Sequence, residues 1–564
     1  MKSRLVLVLW MAGLWMAGLA ARLVFLQGVH HEHYADLAGR EQQQVVVLSS
    51  SRGTIYDARG RILAVSVPVD SAWADPQEVA DPRAFARALA DAVPAQVKAA
   101  ELAARLETAR AAGKRFLWLE RKLDAPESRA LQALELEPLR FVEETKRYYP
   151  MRTLAGSVLG FVGTDDQGLA GLEQVYDEHI AGRPVQRVVL KDARRGTAVT
   201  PDLPFREARP GRDLHLSLDA AIQHVVEDEL TRAVERHGAR GGSLVVLDPR
   251  NGRVLAMASY PGFDPNYFGR YPAEHRRNRA VQDAYEPGST FKMVTAAAAL
   301  ATNALDPSDV LDCRNGSIVV GRTRIRDHKP FGLLTFREVV AKSSNVGAIL
   351  AGLEVGREAL YEQTRAFGFG RATGIDLAGE HDGLLHPVEQ WRPVHTANVA
   401  FGQGLSVTPI QLATAFAAVA DDGVLRRPRL ALEREGEIRG RPLTPALARE
   451  LERMLEAVVD DGTAKAAAVP GYTVAGKTGT AQKADPRGGG YVPGRYVATF
   501  TGFVPARDPV LVASVMIDEP RPPLYHGGQV AAPVFGAVAR RVLLYLGVPR
   551  EEPLVDSRWA GGLG

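Results

Sequence analysis

Hydropathy alone sets the first segment apart. Residues 5–26, LVLVLWMAGLWMAGLAARLVFL, are uncharged except for Arg22. At the helical rise of about 1.5 Å per residue, such a run spans about 33 Å, enough to cross the hydrocarbon core of a bilayer. Lys2 and Arg4 precede it, and flanking basic residues favour the cytoplasmic side. The expected topology is a single-pass anchor in the cytoplasmic (inner) membrane, with the N-terminus inside and everything after about residue 27 outside. A cleavable signal peptide is the alternative, with small residues at Gly18 to Ala21 as a cleavage site. The apolar stretch resumes after Arg22 and outruns a usual signal core, which favours a retained anchor. Gly13, Ala17 and Ala21 recur every fourth residue, a small-residue stripe suited to close packing against a membrane partner.

Beyond the anchor the pattern changes period. VVVLSSSRGTIYDARGRILAVSV, from Val45, alternates like two strands about a turn at Asp57-Ala58-Arg59-Gly60. Residues 81–113 place Leu and Phe at helical spacings and predict two helices broken near Pro94. Turn signals recur over 147–213. A second body begins near Asp213. LHLSLDAAIQHVVEDELTRAVERHG predicts a strand running into a helix, with Ser217 or Asp219 as N-cap. SLVVL (243–247) and RVLAMAS (253–259) flank the turn Asp248 to Gly252 and predict a hairpin. A long helical stretch follows. Strand patterns return at Tyr472-Thr473-Val474, at 496–504 and at 510–517, and 534–547 predicts a closing helix.

Strands at both ends with helices between predict an antiparallel sheet packed on helices, an α+β domain. The expected organisation is multidomain: tip and transmembrane anchor over 1–27, a β-rich pedestal over 28–212 with a small helical lobe at about 81–140, the large domain over 213–550, and a tail over 551–564. Length alone, 564 residues, suggests about three domains, and the pattern resolves two soluble ones plus the span.

Composition removes several function classes. A net charge of +3 argues against a dedicated nucleic-acid binder. The one cysteine, Cys313, excludes an internal disulfide and thiolate-clustered metal sites. His30, His31, Glu32 and His33 are adjacent in sequence and cannot all converge on one ion, so they read as a solvated juxtamembrane stretch. Thirteen histidines leave other metal sites open.

Three motifs in the large domain carry chemistry. Ser289-Thr290-Phe291-Lys292 follows Pro287-Gly288 and opens an Ala-rich helix. A spacing of three puts Ser289 and Lys292 on one helix face. A serine nucleophile needs a base, and a lysine serves only when burial or another cation lowers its pKa. The helix N-terminus also offers free N–H groups to a developing oxyanion. Ser343-Ser344-Asn345 comes 54 residues later. Ser343 offers a relay hydroxyl, and Asn345 a donor and an acceptor for a substrate amide. Lys477-Thr478-Gly479, with Thr480, falls on or beside a predicted edge strand. A cation and hydroxyls there suit a free carboxylate, Gly479 leaves room for a ligand backbone, and Lys477 is a candidate second cation to depress Lys292. By chance S-x-x-K and S-x-N each occur about once or twice in such a chain, and K-T-G on the order of 0.2 times. Order and context together make the set specific.

With these motifs the chain resembles a class B penicillin-binding protein over nearly its whole length. Arg52-Gly53-Thr54-Ile55-Tyr56-Asp57, Trp73-Ala74-Asp75-Pro76 and Gly171-Leu172-Glu173 resemble that class's pedestal signatures. SYPGFDPN (259–266), FGQGLSVTPIQLA (401–413), GKTGTAQK (476–483) and YHGGQVAAPVF (525–535) are of the family's kind in the large domain. The resemblance implies an extracytoplasmic D,D-transpeptidase that cross-links peptidoglycan stem peptides through an acyl-serine intermediate. It implies Ser289 as nucleophile, Lys292 as base, and Ser343, with Lys477, as the route of a proton to the departing D-Ala. It implies Lys477, Thr478 and Thr480 as holders of the terminal carboxylate, and the N–H groups of Ser289 and Thr480 as the oxyanion hole. β-Lactams are then ligands that trap Ser289, and the resemblance implies no cofactor or metal.

The layout is most similar to the FtsI-like division type. It implies a septal location, a multi-span glycan polymerase of the SEDS type (FtsW-like) as partner, and other divisome proteins. The elongation type is the nearest alternative, and the lack of C-terminal appended repeats weakens the sporulation type. A non-enzymatic penicillin-binding sensor would keep the fold without cross-linking. A β-lactamase would need an activating Glu at the acyl ester, and the sequence assigns none.

Overall fold

The structure is a computed structural model. It describes residues 2–31, 43–48, 50–182, 185–191, 197–198, 209–485 and 488–551. Glu32 and His33 of the juxtamembrane stretch, and the tail from 552, lie outside the described residues.

Helix α1, Lys2–Val24, makes up most of the apolar run Ser3–Gly28, whose apolar window has a mean hydropathy of 1.7 and is nowhere buried in the protein. Such a helix fits a single-pass membrane anchor. The run Gly527–Leu546 passes the same test of length and apolarity, but half of it is buried, and it is a core helix of the large domain.

By contacts the chain divides into two compact units. One comprises residues 1–52, 68–146 and 181–211, the other 53–67, 147–180 and 212–564. The first holds a small core of its own. Helices Pro82–Ala92 and Ala99–Ala111 bury Phe85, Leu89, Leu102 and Leu106 with Leu119 and Leu131. Pro94 does fall in the turn between the two helices, and Asp81 caps the first by accepting from Arg83 N and Ala84 N. Trp73 of the WADP signature stacks on Phe116, ring centroids 5.0 Å apart.

In the second unit a five-stranded antiparallel sheet is built from β1 (Gly241–Leu247), β2 (Val254–Tyr260), β3 (Ala475–Ala484), β4 (Tyr491–Val504) and β5 (Leu511–Asp518). Its order is β2-β1-β5-β4-β3, which leaves β3 as an edge. β1 and β5 are buried at every position, as central strands covered on both faces must be. Helices α2 (Ala220–Arg236), α3 (Lys292–Ala301), α6 (Pro409–Ala420) and α7 (Ala532–Leu546) pack in the same core, with α4 (Phe336–Lys342) and α5 (Asn345–Val355) between α3 and α6 in the chain. α3 is buried from Lys292 to Leu300, and its alanines let neighbours approach on every side.

Three sequence expectations need adjusting. The strand before α2 shrinks to Leu214–His215, and the N-cap is Asp219. Ser217 instead donates its hydroxyl to Val254 O at 2.8 Å. The strand expected at Tyr472–Val474 begins at Ala475 and runs through GKTGT, because pairing with β4 overrides the weak strand propensity of Gly and Lys. The stretch read as helical also contains the hairpin Ser317–Val320 with Thr323–Arg326.

The RGTIYD signature has a structural account within the second unit. Asp57 accepts from Ala220 N at 3.0 Å, at the first turn of α2. Arg61 bridges Asp57 and Asp219 at 2.6 Å each, and Arg59 reaches Asp219 at 2.9 Å. Gly53 is there because a Cβ would sit 1.9 Å from Arg212 O. Glu173 of the GLE signature pairs with Arg147 at 2.7 Å, with side chains 0% and 1% exposed. Arg147 also donates to Gly53 O at 2.7 Å. A buried ion pair stabilises little over an apolar pair, but removing one partner strands the other charge. Glu173→Ala should therefore destabilise this unit by about 3–5 kcal/mol. The double variant Arg147→Met/Glu173→Leu should recover most of that loss, as read by thermal unfolding. If Glu173→Ala melts with the wild type, the pair has no such role.

Candidate active site

The first motif lies on a tight turn. Gly288–Phe291 is a short 3-10 segment that leads directly into α3. Gly288 sits at φ +53°, and a Cβ there would come 3.2 Å from Thr480 O, so the turn abuts β3 at Thr480. The chain on the other side is equally close. Gly288 N donates to Gly402 O at 3.0 Å, and a Cβ on Gly402 would fall 1.9 Å from Gly288 O. Tyr285 and Val407 exchange backbone hydrogen bonds at 3.0 and 2.9 Å. The FGQG loop and the GKTG strand thus grip the serine turn from two sides. Ser289 itself is partly exposed at the surface of this clamp.

Lys292 is the first residue of α3 and 1% exposed. Its Nζ donates to Ser343 O at 2.6 Å, to Asn345 Oδ1 at 2.8 Å and to Ser343 Oγ at 3.2 Å. The first and second motifs are therefore one cluster, and the lysine is oriented by the second. Lys477, on β3 and 0% exposed, donates to the same Ser343 Oγ at 2.9 Å and to Thr478 O at 3.2 Å. One hydroxyl joins two buried amines from distant parts of the chain.

Backbone geometry places that hydroxyl. Ser343 is the C-cap of α4, at φ 60° and ψ 39°, and the next residue starts the approach to α5. Ser344 caps α5 by accepting from Gly347 N at 2.9 Å. Asp327, just after the hairpin, completes the cap. It accepts from Ser344 Oγ at 2.8 Å, from Val346 N at 3.2 Å and from Asn345 N. A carboxylate at a helix N-terminus is favourable on both hydrogen-bonding and dipole grounds.

Burial pushes the Lys292 amine down to about 7, with the charge of Asp327 opposing. Lys477 is also driven well below the usual lysine range, first by burial and then by the charge on Lys292. Burial is the chief cause for both amines, and the repulsion that two neighbouring ammonium groups exert on each other works in the same direction.

Asn345, expected to hold a substrate amide, has its Oδ1 on Lys292 and its Nδ2 on Arg326 O at 3.0 Å. A Cβ on Gly479 would meet Thr499 Oγ1 at 2.4 Å and Pro287 O at 2.8 Å, so this glycine lets β3 pack against the serine turn. Thr478 Oγ1 lies 2.7 Å from Thr463 Oγ1, and Thr480 Oγ1 accepts from Gly527 N at 3.0 Å. The YHGGQ segment and Thr463 thereby fix the two hydroxyls on β3.

Sequence reasoning missed two residues of this cluster. Asp327 lies in a loop with no diagnostic spacing, and only the tertiary contact reveals it. Glu286 is three residues before Ser289, and its Oε1 accepts from Gly404 N at 2.9 Å, tying the FGQG loop to the serine turn. Its half-burial raises its pKa.

The lowered lysine has a stability signature. In the unfolded chain Lys292 titrates near its ordinary 10.5, in the folded one near 7. Between these values the unfolded state holds a proton that the folded state has lost, so stability should rise with pH across that window. Lys292→Met should remove about one proton from this slope, with Lys477 contributing what remains. Denaturant midpoints measured near the two ends of the window test this; an unchanged slope in Lys292→Met would overturn it.

Comparison with known proteins agrees with this geometry. Residues 242–540 match the penicillin binding protein transpeptidase domain, and residues 47–216 the penicillin-binding protein dimerisation domain. The chain is 36% identical to the probable peptidoglycan D,D-transpeptidase PenA of Neisseria meningitidis, over 98% of this chain and 95% of that one. It is 35% identical to the peptidoglycan D,D-transpeptidase FtsI of Escherichia coli, over 94% of this chain and 89% of that one. Penicillin binding protein 3 of Mycobacterium tuberculosis, solved with aztreonam, superposes with a TM-score of 0.68 at 30% identity, covering 90% of this chain and 99% of that one. A dimerisation domain and a transpeptidase domain on one chain, the latter carrying the buried Lys292–Ser343–Lys477 cluster beside Ser289, place this protein among the class B penicillin-binding proteins.

Proposed function

We propose that the protein is a peptidoglycan D,D-transpeptidase acting through an acyl ester on Ser289. The observation that carries this reading is the fully buried Lys292 amine, bonded to Ser343 and Asn345 and held near 7, one helical turn from a partly exposed serine. A lysine in that condition is a competent base at neutral pH.

Ser289 Oγ attacks the carbonyl between the two terminal D-alanines of a donor stem and gives its proton to neutral Lys292 Nζ. The N–H groups of Ser289 and Thr480 receive the developing oxyanion, a role supported by the closeness of the serine turn to β3 at Thr480. The C–N bond then breaks. The departing D-Ala amine takes up a proton passed through Ser343 Oγ, which both lysines reach. In the second half an acceptor stem's amine attacks the ester, loses its proton along the same path, and Ser289 leaves as the free hydroxyl. Asn345 positions Lys292. Lys477, Thr478 and Thr480 recognise the donor's terminal carboxylate, and Gly479 permits the close contact between β3 and the serine turn. A β-lactam presents the same carbonyl and carboxylate but leaves no departing amine, so the ester persists.

The remaining assignments rest on the family and on α1. The protein sits in the cytoplasmic membrane with its N-terminus inside and its catalytic domain outside, and it works in septal wall synthesis. The boundaries 28–212 and 213–550 serve as pedestal and transpeptidase domain. α1 and the pedestal engage a SEDS-type glycan polymerase. A shallow groove along α1, lined by Leu9, Trp10, Gly13, Leu14 and Ala17, suits a partner helix.

Fluorescent penicillin on the purified protein tests the chemistry. Wild type should label stably, Ser289→Ala not at all, and Lys292→Arg at least about a hundredfold more slowly, since guanidinium stays protonated. The acylation rate should rise with pH through about 7, as Lys292 loses its proton, and then level off. An unlabelled wild type, or labelling of Ser289→Ala, would sink the reading. A functional fluorescent fusion should gather at midcell.

A further inference from the structure

The transpeptidase unit carries a second concentration of charge that the chemistry above leaves unused. A narrow pocket is lined by Arg371, Arg426 and Arg439 together with Thr373, Gln411 and Thr414. It shares no residue with the Ser289 cluster. Gln411 fixes its floor, donating to Arg371 O at 2.9 Å and to Asp382 O at 2.8 Å.

The cations are poorly compensated. Arg426 is paired, with Asp421 at 2.7 Å. Among the described residues Arg439 donates its hydrogen bonds to carbonyls, Ala372 O at 2.9 Å and Thr373 O at 2.6 Å, and the acid that feels its charge is Glu437. Arg365, in the last turn of the helix Arg357–Ala366, donates to Phe369 O at 3.1 Å and Gly370 O at 2.9 Å. Arg371 donates no side-chain hydrogen bond among the described residues, and its Nε is buried without a partner. The charges that act on it, Arg439 and Arg365, are both of its own sign. The neighbouring acids are committed elsewhere. Glu380 accepts from Thr373 N at 2.7 Å and Gly374 N at 2.9 Å, Asp382 from Ala372 N at 2.8 Å, and Glu437 pairs with Arg427 at 2.9 Å.

A buried guanidinium donor without an acceptor, beside two like charges, is unfavourable unless an anion completes the site. We propose that this pocket binds a phosphate-type oxyanion, gripped by the forks of Arg371 and Arg439. Guanidinium forks match the paired oxygens of such a group, and each charge-assisted bond is about twice as strong as a neutral one. The pocket has room for about one water-sized group, so terminal oxygens enter while the remainder of the ligand stays at the mouth. The phosphate is either free inorganic ion or a phosphate ester on a larger molecule of the cell envelope.

Calorimetric titration of the full-length protein in uncharged detergent tests this, using inorganic phosphate in one arm and glycerol 3-phosphate in the other. Chloride holds the ionic strength constant. Saturable binding is expected in at least one arm. Tighter binding of the ester assigns the site to a larger molecule, and equal binding to the free ion; either supports the proposal. Arg371→Gln should weaken binding by at least about tenfold. The same variant should melt at or above the wild-type temperature in phosphate-free buffer, because it relieves repulsion. The proposal fails if neither arm saturates, if Arg371→Gln binds as the wild type does, or if chloride competes equally, which would mean an adventitious ion only. A lower melting temperature for Arg371→Gln would also overturn it, by showing Arg371 to be a structural residue.

Discussion

Two lysine amines taken out of water and aimed at one hydroxyl are the constraint around which the transpeptidase unit is organised. An ammonium inside a protein is expensive, and two together more so. Three acceptors within 3.2 Å of Lys292 Nζ and two within 3.2 Å of Lys477 Nζ offset part of that expense. Partial loss of a proton supplies the rest, and that loss makes the cluster reactive. With one amine neutral, Ser343 Oγ–H can donate to it while accepting from the other, so the hydrogen bonds can reverse direction without any heavy atom moving.

Holding this arrangement requires three remote stretches to meet. α3 delivers Lys292 from a helix buried on every side, so the amine has no route to solvent along its own element. β3 delivers Lys477 from a sheet edge, whose outer side pairs with no further strand among the described residues. The α4–α5 junction delivers Ser343, with Asp327 capping α5 behind it. Glycines at 288, 402 and 479 remove the side chains that would keep these parts separate. Activity is thus written into the packing as much as into the polar residues.

Much of this was legible in the sequence. The hairpin of β1 and β2, the return of strands near the end, the break at Pro94 and the Asp219 cap all follow local rules of period and turn chemistry. The three motifs named most of the cluster because each combines a chemical group with a local context. What escaped was decided by partners distant in the chain. Spacing suggested that Lys292 faces Ser289, yet the amine's bonds go to residues 343–345. Spacing could not reveal that Asn345 is occupied by Lys292 and Arg326, or that Gly479 accommodates Pro287 and Thr499. Asp327 and Glu286 look like ordinary loop acids until the fold supplies the groups they bind.

Ser343 adopts left-handed backbone angles, a conformation that disfavours any residue with a Cβ by about 1–2 kcal/mol. Glycine would relax there, and asparagine nearly so. Any selection for stability alone, in nature or by design, would therefore press this position toward a residue without a hydroxyl. The strained serine is a place where fitness and foldedness point in opposite directions. Efforts to harden this protein for heat or crystallisation would find one of their most attractive single changes at the residue the chemistry can least spare.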